Sequence, residues 1–196
     1  MQDALFSLLF MTLLLFGSPG PAPISLLASG ANFGYRRNLP FLTGILVGLG
    51  LAMVLVNLGL STLLETSPKF ASGLSLLCVG YLVYLAYKLY IQDPRKQSNE
   101  QLPGFKQGII LNIINPKAYA SLITLFSQFS IGNVQQIEAL MLTGLVCICF
   151  VAVIDAVWLL IGAKLGRVVK SRRHIKRLNS ICSLAILLVA SVLISY

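Results

Sequence analysis

Long apolar runs alternate with short polar connections along the whole chain. The six runs cover about residues 4–31, 41–64, 70–91, 108–129, 139–163 and 178–196. Each is close to the ~20 residues that an α-helix needs to cross ~30 Å of hydrocarbon. The apolar positions are continuous within each run, whereas strands of a membrane barrel alternate between apolar and polar residues. The pattern therefore predicts an all-α membrane protein with six transmembrane helices.

Composition and charge support the same class of protein. The chain has 196 residues, of which 57% are hydrophobic and 11% are charged, whereas about 25% of the residues in soluble domains are charged. The net charge is +9, which on a soluble protein would indicate nucleic-acid binding. Here the basic residues lie between the apolar runs, as expected because the cytoplasmic loops of membrane proteins are rich in lysine and arginine. We therefore expect membrane lipid around the chain and no nucleic-acid partner.

The distribution of basic residues predicts the orientation in the inner membrane. The first connection carries Arg36 and Arg37, and the fifth carries seven lysine and arginine residues between positions 164 and 177. The fourth connection, Ser130 to Glu138, has none. Because basic connections stay in the cytoplasm, connections one, three and five are predicted to be cytoplasmic and both termini periplasmic. The start, Met1-Gln2-Asp3, lacks the basic residues of a signal peptide, so the first run is expected to be a span.

The sequence also carries a weak internal repeat. Leu42-Thr43-Gly44 recurs as Leu142-Thr143-Gly144, and prolines interrupt the first and fourth runs at Pro19 and Pro116. These matches predict one transporter domain over 1–196, with repeat 1 at about 1–91, a cytoplasmic loop at about 92–107 and repeat 2 at about 108–196. Because each repeat holds three spans, the second is inverted relative to the first, as in many secondary transporters.

The two proline interruptions indicate where a solute would bind. A proline inside a helix removes a hydrogen bond and costs ~3 kcal/mol or more, and in lipid it persists where protein groups or a wet cavity satisfy the backbone. Helices 1 and 4 are therefore expected to be broken at mid-depth, with half-helix ends suited to a zwitterion. A structural kink is the alternative. The candidate substrate-binding residues are Ser18, Pro19, Gly20, Pro21, Asn112, Asn115, Pro116 and Lys117.

Two charged residues lie deep inside the runs, whereas Lys88 is near the end of the third run. Lys117 is near the centre of the fourth run, where a lysine costs ~2.5–3.5 kcal/mol and must face the protein interior or water. It could hold a substrate carboxylate, or it could form a structural ion pair with Asp155. Asp155, in the fifth run, is the candidate for proton coupling, with hydrogen bonding between helices as the alternative. Asn57 is expected to be a supporting polar residue in the interior.

Two motifs resemble those of a known family. Ser18-Pro19-Gly20-Pro21 followed by Gly34 resembles the opening of the LysE/RhtB amino-acid exporter family, and Asn112 with Asn115-Pro116-Lys117-Ala118 resembles its fourth-span motif. The resemblance covers essentially the whole chain, and residues 155–196 look most like the cysteine and O-acetylserine exporter branch. It implies export of amino acids or their derivatives, driven by the proton gradient as in an antiporter.

Other functions fit the same residues less well. A thiol or electron carrier of the wider superfamily would have cysteines on the first and fourth spans, and a metal-ion efflux protein tends to have histidine-rich loops. The cysteines lie elsewhere, at 78, 147, 149 and 182, and His174 is the single histidine. We see no nucleophile–base pair or metal-ligand cluster, so we expect no enzyme, no cofactor and no bound metal. A second copy of the chain, forming a homodimer, is a further candidate partner.

Overall fold

The computed structural model describes residues 2–60, 66–92, 102–128, 136–168 and 172–194. Regular structure in these ranges is helical, with no strand, which confirms the prediction of an all-α chain. The helices are α1 (Gln2–Gly17), α2 (Pro21–Phe33), α3 (Leu39–Leu55), α4 (Pro68–Ile91), α5 (Phe105–Ile113), α6 (Pro116–Gln128), α7 (Gln136–Val168) and α8 (Arg172–Ile194). Parts of the predicted second run and of connections three to five, at 61–65, 93–101, 129–135 and 169–171, lie outside the described residues.

Two of the predicted runs are bent helix pairs. The α1–α2 pair bends by 64° and the α5–α6 pair by 63°, so the first and fourth runs are broken where the prolines indicated. Proline occupies the first turn of α2, α3, α4 and α6, where its missing N–H costs little. A π-helical turn, Val56–Leu60, extends α3 and contains Gly59 in the left-handed region at φ 99°.

Long apolar helices identify a membrane protein. Two helical segments, Arg36–Gly59 and Met141–Val168, are each long and apolar enough to cross a bilayer. The number rises to four when each bent pair is counted as one span, and Ser75–Ile91 is a shorter apolar helix. These segments come from the described part of the chain, and they support the membrane class predicted from the sequence.

The side chains are distributed as expected for a protein surrounded by lipid. Large apolar side chains face outward, including Leu58 at 79% and Leu76 at 75% exposure. Several polar side chains are buried, among them Asn38, Asn112 and Asn179. An exposed apolar surface of this kind requires a partner or a lipid environment, and polar groups inside a bilayer must find partners within the protein.

Glycines allow two helix pairs to approach closely beside the breaks. In the α2–α7 crossing, a Cβ on Gly162 would lie 2.1 Å from the carbonyl oxygen of Leu27. In the α3–α5 crossing, a Cβ on Gly44 would lie 2.1 Å from the carbonyl oxygen of Phe105. A Cβ on Gly48 would also lie close to the backbone of α5. Such crossings are typical of membrane helices, where van der Waals packing drives association. They place α3 and α7 against the two broken pairs.

The basic fifth connection is partly helical, unlike a simple loop. α7 continues to Val168 and α8 begins at Arg172, so most of the lysines and arginines there belong to helix ends. Lysine and arginine are good helix formers, which explains how the helices extend beyond the apolar runs. Similarly, α5 begins at Phe105, inside the polar stretch expected to be a loop to residue 107.

Candidate functional site

The first break lies between α1 and α2. Pro19, Pro21 and Pro23 have no backbone N–H, so carbonyls one turn earlier lose their helical donors. The Ser18 hydroxyl replaces one of these donors, since its Oγ lies 3.1 Å from the carbonyl oxygen of Leu15. The break therefore leaves polar backbone groups that side chains must satisfy.

The second break lies between α5 and α6. Because the helix is interrupted, the Lys117 N–H does not follow the helical pattern and donates to Asn115 Oδ1 at 3.2 Å. Asn115 thereby acts as the N-cap of α6, a position that favours asparagine. The carbonyl of Ile113, which a continuous helix would pair with Lys117 N–H, accepts instead from the Tyr119 hydroxyl at 2.7 Å. Nearby side chains thus form hydrogen bonds with the backbone groups that this break leaves without helical partners.

Lys117 connects the two breaks. Its Nζ donates to the Ser18 carbonyl oxygen at 2.7 Å and lies 2.8 Å from Ser18 Oγ, with a longer contact of 3.5 Å to the carbonyl oxygen of Pro19. The lysine stem passes against Gly20, where a Cβ would lie 2.9 Å from Lys117 Cδ. A cation is favourable at the C-terminal end of a half-helix. The ammonium has three donors, and only two of its contacts are short.

A small central pocket lies between the breaks, α3 and α7. Its polar lining consists of Asn112, Asn115, Lys117 and Asp155. Asn112 also donates through Nδ2 to the Ile45 carbonyl oxygen at 2.8 Å, which fixes α5 against α3. The pocket volume is about 20 Å³, slightly more than the ~10–15 Å³ needed for one water molecule. In this state the pocket is closed to any larger solute.

Asp155 faces this pocket from α7 with a side chain that is 3% exposed. Among the described residues it has no hydrogen-bond donor, and no cation lies within 4.0 Å of its carboxyl group. The ion pair with Lys117, one of the two alternatives raised by the sequence, is therefore not formed, because the lysine ammonium lies on Ser18 instead. An intramembrane carboxyl group that accepts no hydrogen bond is a candidate functional group.

A family model described as LysE type translocator matches residues 13–196. The chain belongs to the LysE family. It is 28% identical to the homoserine/homoserine lactone efflux protein of Salmonella typhimurium, over 97% of this chain and 95% of that protein. It is 24% identical to the leucine efflux protein of an Enterobacter species, over 83% and 81% of the two chains. It is 27% identical to the cysteine/O-acetylserine efflux protein of Klebsiella pneumoniae, over 77% and 78%. No solved structure matches.

The match confirms the family resemblance carried by the two sequence motifs. The three LysE relatives have different substrates in their names but similar identities to this chain. Identity therefore does not separate the branches, and the resemblance of residues 155–196 to the cysteine and O-acetylserine branch stays a prediction. The names describe efflux proteins and not enzymes, which agrees with the expectation that the chain is not an enzyme.

Most of the predicted site residues in this LysE-family chain come together. Ser18, Pro19 and Gly20 contact Lys117, and Pro21, Asn112, Asn115 and Lys117 line the central pocket with Asp155. Pro116 begins α6 without lining the pocket. Asn57 differs from its prediction as an interior residue: it is exposed, and its Nδ2 donates to the Met53 carbonyl oxygen at 2.9 Å. Asn57 is therefore outside the site.

Sequence reasoning missed two supporting contacts of the LysE-family site. Tyr119 satisfies the backbone of the second break, and the carbonyl of Ile45 anchors Asn112. A tyrosine shortly after a helix-breaking proline is a weak signal for the first contact. A backbone carbonyl in an unbroken apolar helix gives no sequence signal, so the second contact required the structure.

Proposed function

We propose that the chain is a secondary active exporter of amino acids or amino-acid derivatives across the inner membrane, operating as a proton antiporter. The single observation that carries the proposal is the central pocket, which brings Lys117 and Asp155 together between two broken helices. Family membership supports it, because the relatives named above are efflux proteins for amino acids and related solutes.

Lys117 is the proposed partner of the substrate carboxylate. Half-helix N-termini often bind anions through backbone N–H groups, but α2 begins with prolines at 21 and 23, which have none. At α6 the Lys117 N–H is already bonded to Asn115. The lysine ammonium, with two donors held by Ser18 and a third in only a long contact, can supply the charge that the backbone lacks.

Asp155 is the proposed partner of both the substrate ammonium and the proton. Its carboxyl group faces the pocket and accepts no hydrogen bond from any described residue. A buried carboxyl group can be neutralised by a proton or by the ammonium of a bound solute, and occupancy by one excludes the other. Export of a zwitterion followed by protonation of Asp155 from the outer side would couple the two fluxes in opposite directions.

The proposed architecture is a single domain of six spans in two inverted repeats, with helices 1 and 4 broken at mid-depth. The two bent pairs and the long helices α3 and α7 support it. The central pocket, at about 20 Å³, is too small for an amino acid, so transport requires movement at the breaks. Inverted repeats supply two related arrangements for such movement. Basic connections face the cytoplasm and the termini face the periplasm in this proposal.

The alternatives have less support. The cysteines lie on α4, α7 and α8, whereas a thiol carrier needs them on the broken helices. The described residues contain no group of three or more histidine, cysteine, aspartate or glutamate side chains suited to a metal. The cysteine positions therefore do not favour a thiol carrier, and the described residues do not favour metal transport.

A solute-efflux assay tests the proposal. Cells with and without the protein are loaded with a panel of labelled amino acids, and efflux is measured with the proton gradient intact or collapsed. We expect gradient-dependent efflux of at least one amino acid in cells containing the protein, and its loss in Asp155→Asn. Equal efflux with and without the protein across the whole panel would contradict the proposal.

A further inference from the structure

A second, larger cavity lies between α2, α4 and α5, and we name it the vestibule. Its volume is about 440 Å³, within the ~300–1,000 Å³ typical of small-molecule sites. Its polar lining includes Ser25, Ser29, Tyr81, Tyr84 and Lys88. None of these residues is among the predicted site residues, and the vestibule has room for a solute that the central pocket is too small to hold.

The vestibule and the central pocket lie one after the other along the same helices. On α2, Pro21 lines the central pocket, and Ser25 and Ser29 line the vestibule at successive four-residue steps. Residues four apart share one helix face, and the eight steps from Pro21 to Ser29 rise ~12 Å along the helix axis. On α3, Ile45 lines the pocket and Phe41 lines the vestibule. The two spaces are therefore arranged in tandem along the same helices.

The lining indicates the chemistry of the occupant. Lys88 is half-buried, and none of the described residues that line the vestibule is acidic. Among the described residues, its ammonium has neither a hydrogen-bond acceptor nor an acidic group within 4.0 Å. Much of the remaining wall is apolar, including Phe33, Leu85 and Ile110. An ammonium group beside apolar walls suits a carboxylate that carries an aliphatic group.

We propose that the vestibule is a loading site for amino acids with aliphatic side chains, in which Lys88 binds the carboxylate. This inference rests on the proposed export function. Solute held there would lie near the Arg36–Arg37 end of α2, the end predicted to be cytoplasmic, and would move along α2 to Lys117 and Asp155. The vestibule would therefore select the solute before the closed central pocket opens to it.

Protection of an introduced cysteine tests this site. Tyr84→Cys places a thiol in the vestibule, and Val83→Cys places one on the neighbouring position, which has comparable exposure and does not line the cavity. Maleimide labelling of the purified full-length protein is measured with increasing L-leucine. The parent chain, whose exposed thiol is Cys149, gives the background. We expect leucine to protect residue 84 and not residue 83.

Charge variants separate the vestibule from the central pocket. In the Tyr84→Cys chain, Lys88→Met should weaken leucine protection by roughly tenfold or more, as loss of a charge-assisted bond implies, and Lys88→Arg should retain it. L-leucinamide, which lacks the carboxylate, should protect poorly. Lys117→Met should leave protection intact, because that lysine belongs to the central pocket.

Three results would overturn the vestibule site. These are no protection by leucine, equal protection by leucinamide, or protection that needs Lys117 and not Lys88. Protection by phosphatidylglycerol without protection by leucine would assign the cavity to lipid and would also overturn it. Efflux without protection would support export but contradict a solute site in the vestibule. Protection without efflux would keep the vestibule as a leucine-binding site but would remove export, and with it the role in loading.

Discussion

Replacement of Lys117 by methionine tests the link between the two broken helices. Methionine keeps much of the length and apolar stem of lysine but removes the ammonium. The variant therefore loses the two short contacts to Ser18, at 2.7 and 2.8 Å, and the proposed bond to the substrate carboxylate. The first loss lowers the stability of the fold and the second weakens solute binding, so the two effects are estimated separately.

A hydrogen bond to a charged group contributes ~1.5–3 kcal/mol, which corresponds to a roughly ten- to hundredfold change in an equilibrium constant. Solute binding should weaken by that factor, because a single charge-assisted bond is lost. The loss of stability should be smaller than the sum of two such bonds, since the variant no longer buries an ammonium. We expect ~1–3 kcal/mol, mostly from the Ser18 carbonyl left without a donor.

Binding of labelled L-leucine and L-homoserine to purified protein, with thermal unfolding in parallel, provides the measurement. Lys164→Met is the matched control, because it removes the same charge from an exposed position at the end of α7. Ser18→Ala keeps the carbonyl contact to Lys117 but removes the hydroxyl contact, together with the hydroxyl's bond to the Leu15 carbonyl oxygen. It should weaken solute binding less than Lys117→Met does, and the double variant should show coupling of ~0.5–3 kcal/mol. Equal binding by the Lys117→Met and Lys164→Met proteins would refute the assigned role.

Two further predictions concern the packing around the site. Gly108→Ala should lower stability by ~1–3 kcal/mol, because the new Cβ would lie 2.4 Å from a carbonyl oxygen of α3; Gly80→Ala, in open space on α4, should be neutral or stabilising. Asn179→Leu should cost ~1–2 kcal/mol, because it removes the 2.8 Å acceptor of Asn32 Nδ2 on α2 and leaves that amide with its bond to the Ala28 carbonyl oxygen. Ser180→Ala should change little. Unfolding midpoints in detergent measure both pairs, and equal midpoints within a pair would contradict that prediction.

Sequence pattern predicted the all-α membrane class and the position of the two breaks. Apolar runs marked the helices, and Pro19 and Pro116 marked where two of them are interrupted, because proline constrains the backbone wherever it stands. The pattern also identified Lys117 and Asp155, since charged residues inside such runs must turn inward. These inferences depend on local chemistry, which the sequence contains directly.

Contacts between distant elements could not be predicted in the same way. The sequence offered Asp155 or a solute as partners of Lys117, and the structure places the ammonium on Ser18, 99 positions earlier in the chain. That choice depends on how the two broken pairs pack. The vestibule depends in the same way on the arrangement of α2, α4 and α5. Asn57 was expected inside because it is polar, but its amide is satisfied within its own helix and the side chain is exposed.

Proton movement coupled to solute efflux tests the central role of the pocket most directly. Liposomes containing the protein and a pH-sensitive dye are loaded with an amino acid that it exports, then diluted into solute-free buffer. With the parent chain, we predict that the interior acidifies as the solute leaves, since each exported ammonium is replaced by a proton at Asp155. Folded Asp155→Asn protein should show no solute-linked acidification. Acidification by that variant with an unchanged ratio of protons to solute would contradict the account.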